Sequence, residues 1–252
     1  MRLHFLSGGR LRMRRDIYYP GAAPEERFEL PVSCALLKHA QGNVLFDTGC
    51  HPGAAEDGEA RWGRMVKFMT PIYRAEDAVV GQLSKAGLGA DDIDLVVCSH
   101  LHADHCGCNA FFPNAEFICH AAELAVAQAE GASGQGYLRT EWDPGRAFRT
   151  IEAQHDLFGD GRITLIPTPG HTPGMTVAHA VLDDHAFLLA SDAIAVRRNL
   201  LDRVTPRVTW NADLALAAID EIARLERDGA TVIFGHDDAQ WRSLRTGEAS
   251  YG

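Results

Sequence analysis

The chain has 252 residues, 46% of them hydrophobic, and 34 acidic against 24 basic side chains give a formal net charge of −10. That size buries a large core and fits a single domain over residues 1–252 without an internal boundary, while the charge disfavours nonspecific binding to nucleic acid or to an anionic membrane surface. No segment approaches the roughly eighteen apolar residues of a membrane span, and Met1 to Arg10 lacks an apolar run of signal-peptide length, so a cytoplasmic address is the expectation.

In chain order, Val32 to Lys38 and Asn43 to Asp47 read as two strands joined by a Gln41-Gly42 turn. Between Cys50 and Glu76 lies a long loop carrying Trp62, Met65, Phe68, Met69, Ile72 and Tyr73. Long loops of this kind are often functional, so a wall or lid over a substrate pocket, or a dimer contact, is expected here. Apolar residues at helical spacing predict a helix over Glu76 to Ala86, stopped by Gly87. Asp94 to Cys98 is a short buried strand, Ala121 to Ala129 a helix, and Asp213 to Leu225 a second helix after an Asn211 cap.

The strand at Asp94 runs into Ser99-His100-Leu101-His102-Ala103-Asp104-His105, which packs four potential metal ligands into one segment. Imidazole nitrogens and carboxylate oxygens suit zinc and, to a lesser degree, iron or manganese. On a loop, His100 and His102 can point one way while Asp104 and His105 point another, so one segment can serve two adjacent ions. Three further strands each end in one ligand-type residue: Ile163 to Ile166 before His171, Ala186 to Ala190 before Asp192, and Ala230 to Phe234 before His236. The six cysteines form no CxxC pair, which fits reduced thiols. Cys106 and Cys108 are close enough to the motif to be weighed as ligands; nitrogen and oxygen donors already suffice, which leaves the two thiols to packing beneath the site.

With these motifs the chain resembles the metallo-β-lactamase superfamily, and within it the N-acyl-homoserine lactonases, from Val44-Leu45-Phe46-Asp47-Thr48-Gly49 to Phe234-Gly235-His236. The resemblance implies an αβ/βα sandwich, two mixed β-sheets flanked by helices with the metals at one edge. It implies one metal on His100, His102 and His171, a second on Asp104, His105 and His236, and Asp192 bridging both, with two zinc ions ahead of iron, manganese or cobalt. Asp47 then supports the metal loop without ligating. The implied reaction is attack of a metal-bridging hydroxide on a carbonyl, with Asp104 passing a proton to the departing alkoxide. The expected partner is a small lactone or ester, and the chain is expected as a monomer or homodimer.

Two departures from the family pattern limit the transfer. The lactonases commonly carry a tyrosine three residues after the bridging aspartate, facing the substrate carbonyl; here the position is Ala195. Met175 stands where the second histidine of Gly-His-x-x-Gly-His often falls, a position that is usually not a ligand. Arg197 and Arg198 lie just beyond Ala195, and one of them is expected to contact an acidic or polar substrate group and take over part of the place vacated there, alongside Phe68 and Tyr73. The tail Arg245 to Gly252 resembles those of lactonases that open small ring lactones from catabolism, which keeps a non-signalling lactone as a rival to the quorum-quenching reading. The competing chemistries are a thioesterase of the glyoxalase II type, against which the short tail after His236 counts, and a persulfide dioxygenase with a single iron.

Overall fold

The computed structural model describes residues 1–252 and contains twelve strands in two mixed sheets. The first sheet takes β1 (Arg2–Arg14), β2 (Arg27–His39), β3 (Gly42–Phe46), β4 (Met69–Pro71), β5 (Leu95–Val97), β6 (Glu116–His120) and β7 (Phe148–Ile151) in the order β4-β1-β2-β3-β5-β6-β7. The second takes β8 (His155–Asp156), β9 (Ile163–Pro167), β10 (Thr176–Val181), β11 (Ala186–Ser191) and β12 (Ala230–Phe234) in the order β12-β11-β10-β9-β8. The β3–β5–β6–β7 run and the β11–β12 pair are parallel; the other neighbours are antiparallel.

Strand periodicity builds the layers. Side chains alternate between the faces of a strand, so Leu37, Val44, Phe46, Phe187, Leu189 and Ile233 meet between the sheets. Leu36, Leu45, Val96 and Phe117 face outward from the first sheet onto the short helices that follow it. Leu188, Ala190 and Val232 face outward from the second sheet onto Ile219 and Ile222. Those two residues belong to the helix Ala212–Arg227, whose cap Asn211 accepts from the Leu214 N–H at 3.0 Å. The result is a helix–sheet–sheet–helix sandwich.

The expected helix over Glu76 to Ala86 is instead broken into a turn at Ala75–Asp77, a short helix Val79–Gln82 and a second turn Leu83–Ala86. Ala78 is extended, and the β-branched pair Val79-Val80 followed by Gly81 is poor helix material. The Gln82 amide caps the break by donating to the Glu76 carbonyl at 2.8 Å. Gly87 closes the segment in a left-handed conformation, as read from the sequence. The stretch after Cys50 is likewise not a structureless loop: it folds into the helices Pro52–Glu56 and Gly58–Trp62 and a turn Gly63–Lys67 before reaching β4.

Candidate active site

Both sheets deliver side chains to one edge of the sandwich. His100 and His102 follow β5, His171 follows β9, Asp192 follows β11 and His236 follows β12. Asp104 and His105 sit on the one-turn helix Ala103–Cys106, where a loop was expected, and the turn is what aims them away from His102. The backbone is contorted where it must aim a group: Asp47 and Ser191 both adopt positive φ, and β11 shifts register between Leu189 and Ser191 just before Asp192. Gly235 is needed next to this bend, because a Cβ there would crowd Asp192 Oδ1 at 2.8 Å.

Three overlapping groups of donor atoms result: His100 with His102 and His171, Asp104 with His105 and His236, and His100 with His105 and Asp192. Within each group the donor atoms lie within 4.8 Å of one another. The outer nitrogens of the rings are tied to the fold. His236 Nδ1 donates to the Pro31 carbonyl at 2.8 Å and His171 Nδ1 to the Val208 carbonyl at 3.1 Å. His105 Nδ1 meets Asp47 Oδ2 at 3.0 Å, and His100 Nδ1 meets Ser99 Oγ at 3.0 Å. A carbonyl only accepts, so in the neutral rings of His236 and His171 the lone pair is left on Nε2, turned inward.

The inward atoms then face each other. His105 Nε2 is 3.3 Å from His236 Nε2, and His171 Nε2 is 3.1 Å from His102 Nδ1. Asp192 Oδ1 lies 2.9 Å from His236 Nε2 without hydrogen-bond geometry, and His100 Nε2 is buried with no partner at all. Buried polar atoms are ordinarily satisfied. Orphaned acceptors converging on shared points fit divalent cations, and the nitrogen-rich donor set is the kind zinc accepts. Cys106 and Cys108 are free and buried beneath the site; Cys106 Sγ donates to the His102 carbonyl at 3.0 Å and belongs to none of the donor groups.

The electrostatics divide the cluster between rings held neutral and rings drawn toward the carboxylates. Burial, and then the neighbouring His171, push His102 down to about 3, and burial with the surrounding rings holds His100 well below the usual histidine range. Burial opposes a charge on His105, yet Asp104, Asp192 and Asp47 raise it to about 10. Burial likewise opposes the Asp192 carboxylate, but His236, His105 and His171 keep it well below the usual carboxylate range.

Two buried carboxylates hold the ligand segments in place. Asp47 accepts from Ser99 N at 2.7 Å, Ser99 Oγ at 2.7 Å and Ser191 Oγ at 2.9 Å in addition to its contact with His105. Glu123 accepts from Leu101 N and Gly174 N, both at 3.0 Å, and so clamps the His100–His102 segment to the His171 turn. Ser99, Ser191 and Glu123 were not singled out by the sequence. A serine or glutamate in a short apolar neighbourhood carries no motif, and its partners are distant in the chain.

Above the cluster opens a cavity of about 480 Å³ with His102, Asp104, His171 and Asp192 at its floor. Its wall is mostly apolar, with Met13, Ile17, Tyr18, Trp62, Met65 and Phe68 among the lining residues, and Arg64, Ser133 and Gln135 add polar groups to it. The post-Cys50 segment lines the cavity through Trp62, Met65, Phe68 and Met69. Four other expected contacts fall elsewhere. Tyr73 is buried outside the cavity, its hydroxyl donating to the His51 carbonyl at 2.7 Å. Ala195 is fully buried, and its carbonyl accepts from His236 N at 2.7 Å. Arg197 starts a short helix anchored by Asp237 and stacks its guanidinium over Phe234, while Arg198 pairs with Asp202 on the surface. That anchoring turns both arginines away from the cavity. Tyr18 stands over the floor instead, from a segment that carries no sequence motif.

A sandwich of two mixed sheets with a histidine–aspartate cluster at its edge defines a metal-dependent hydrolase class, and the chain belongs to the metallo-beta-lactamase superfamily, whose family model matches residues 27–236. Its relatives are more particular. An N-acyl homoserine lactonase of Bacillus sp. is 30% identical over 97% of this chain and 96% of its own length. The lactonase AttM of Azorhizobium caulinodans is 29% identical over 100% of this chain and 98% of its own. A solved N-acyl homoserine lactone hydrolase with the product N-hexanoyl-L-homoserine at its catalytic metal centre superposes with a TM-score of 0.88 at 28% identity, covering 99% of this chain and 98% of that one. A Bacillus thuringiensis AiiA variant with N-decanoyl-L-homoserine at its active site gives 0.89 at 27% identity, with the same coverage.

Proposed function

We propose that this protein is a metal-dependent lactonase that opens the ring of an N-acyl homoserine lactone or a related small lactone. The observation that carries the reading is the set of seven ligand-type side chains with inward-facing acceptors at the floor of an apolar cavity. His100, His102 and His171 would hold one divalent ion and Asp104, His105 and His236 a second, with Asp192 between them; zinc suits this set better than iron, manganese or cobalt. Bound ions of this kind supply Lewis acidity, lowering the pKa of water toward neutrality and polarising a carbonyl.

The remaining work belongs to the chain. The apolar wall excludes water and receives an acyl chain, which leaves the polar ring at the floor. Asp104 lines that floor, its Oδ2 3.5 Å from His105 Nε2 and 3.6 Å from His236 Nε2. It accepts the proton that water loses on adding to the carbonyl carbon and returns it to the ring oxygen as the C–O bond breaks, giving a hydroxy acid. Asp47 and Glu123 keep the participating histidines in register. No helix is long and apolar enough to cross a membrane.

The test is a hydrolysis screen over acyl-homoserine lactones, simple aliphatic and aromatic lactones, glutathione thioesters and β-lactams, with metal content measured on the same sample. Lactone turnover well above the others supports the reading. Preference for thioesters would assign the site to glyoxalase II-like chemistry, and a single redox-active iron without hydrolysis would assign it to persulfide oxidation.

A further inference from the structure

We propose that Tyr18 is a catalytic residue whose phenol O–H donates a hydrogen bond to the substrate carbonyl oxygen as negative charge develops on it. The proposal rests on reading the site as one that opens lactones. Tyr18 lines the cavity together with Asp104, His171 and Asp192, is only 5% exposed, and sets its ring 5.5 Å from that of His236. Phenylalanine would fill the same space without a hydroxyl to satisfy, and the Tyr18 hydroxyl faces the Asp192 carboxylate at the floor.

Its placement is enforced from three sides. The fully buried Asn199 donates from Nδ2 to the Tyr18 carbonyl at 2.9 Å. Arg207 donates from its backbone to the Ile17 carbonyl at 2.7 Å, and its guanidinium reaches the buried Asp16 at 2.7 Å. Tyr18 N closes the preceding turn on the Arg15 carbonyl. Such anchoring preorganises a donor, the condition under which a hydrogen bond to a developing oxyanion contributes most. On the segment after Asp192, by contrast, Ala195 offers only a buried methyl group.

The variant Tyr18→Phe keeps the ring and its edge contact with Phe28, 6.2 Å between centroids, and removes only the donor. On a lactone that the wild type opens, kcat is expected to fall about 100-fold, the usual cost of deleting one oxyanion donor. KM should stay within about twofold, with metal content and melting temperature unchanged, a split that lost packing does not produce. A kcat within about twofold of wild type overturns the proposal, as does an effect confined to KM or a loss of activity that follows loss of metal. A wild-type chain that opens no lactone overturns the functional reading and the proposal with it. An active wild type with an unaffected Tyr18→Phe overturns the proposal alone.

Discussion

The histidine cluster at the sheet edge and the apolar wall above it differ in how their side chains are held. In the cluster, rings are fixed by hydrogen bonds from their outer nitrogens to Asp47, Pro31, Val208 and Ser99, and the backbone around Asp47 and Ser191 is held in sparsely populated conformations. In the wall, Trp62, Met65 and Phe68 come from two short helical pieces, and Phe68 is 58% exposed. A reacting centre tolerates little displacement, so it is built from directional contacts on sheet ends. A surface that receives flexible apolar groups can be built from short elements that need only be apolar and near.

Substitutions should separate the two regions by size and kind of effect. Asp192→Asn weakens the group shared by both halves of the cluster, and both metal content and kcat/KM are expected to fall, the latter by at least about 1,000-fold; an active variant with full metal would break the assignment. Asp47→Asn leaves the ligands in place but loosens His105 and Ser99, and metal affinity should drop about 10- to 100-fold by competition with a chelator. Phe68→Ala, in the wall, should raise KM for long acyl chains about fivefold with kcat nearly constant, and should move folding stability by no more than about 0.5 kcal/mol. An effect on kcat instead would show that wall and floor are not independent.

The smallest effect sharpens the boundary between them. His51 begins the wall segment and accepts from Gly53 N at 2.9 Å, and burial, then the charge of Arg61, lowers it to about 4. A depressed pKa means the unfolded chain binds the extra proton first as pH falls. The contribution of His51 is therefore complete above about pH 6.5 and lost as pH falls through about 4. His51→Asn keeps a capping acceptor without titrating, so denaturant unfolding should show a shallower loss of stability between those pH values. An unchanged slope would remove His51 from the account.

The cluster was legible in sequence because its spacing is chemical: four ligand residues within six positions, and three strands each ending in one more. Short apolar runs bounded by turns likewise made the sheets readable around Val44 and Phe187. The wall was less so. Glu76 to Ala86 has helical periodicity, yet the extended Ala78 and the poor helix formers Val79, Val80 and Gly81 break it. Tyr73, Arg197 and Arg198 were near the right segments but turned to other partners, His51, Phe234 and Asp202. Tyr18 reaches the floor because Asn199 holds its carbonyl and Arg207 holds the adjoining Ile17 and Asp16, partners about 180 to 190 residues away along the chain, and no local pattern encodes that.

In the proposed reaction two ions, held by two halves of one cluster, act with the chain's own acid and donor groups on a lactone. Titrating zinc into the chelator-stripped protein while following lactone hydrolysis tests it most directly. Activity is expected to rise until two equivalents per chain are bound and then level off. A plateau at one equivalent, or hydrolysis that persists in the stripped protein, would contradict it.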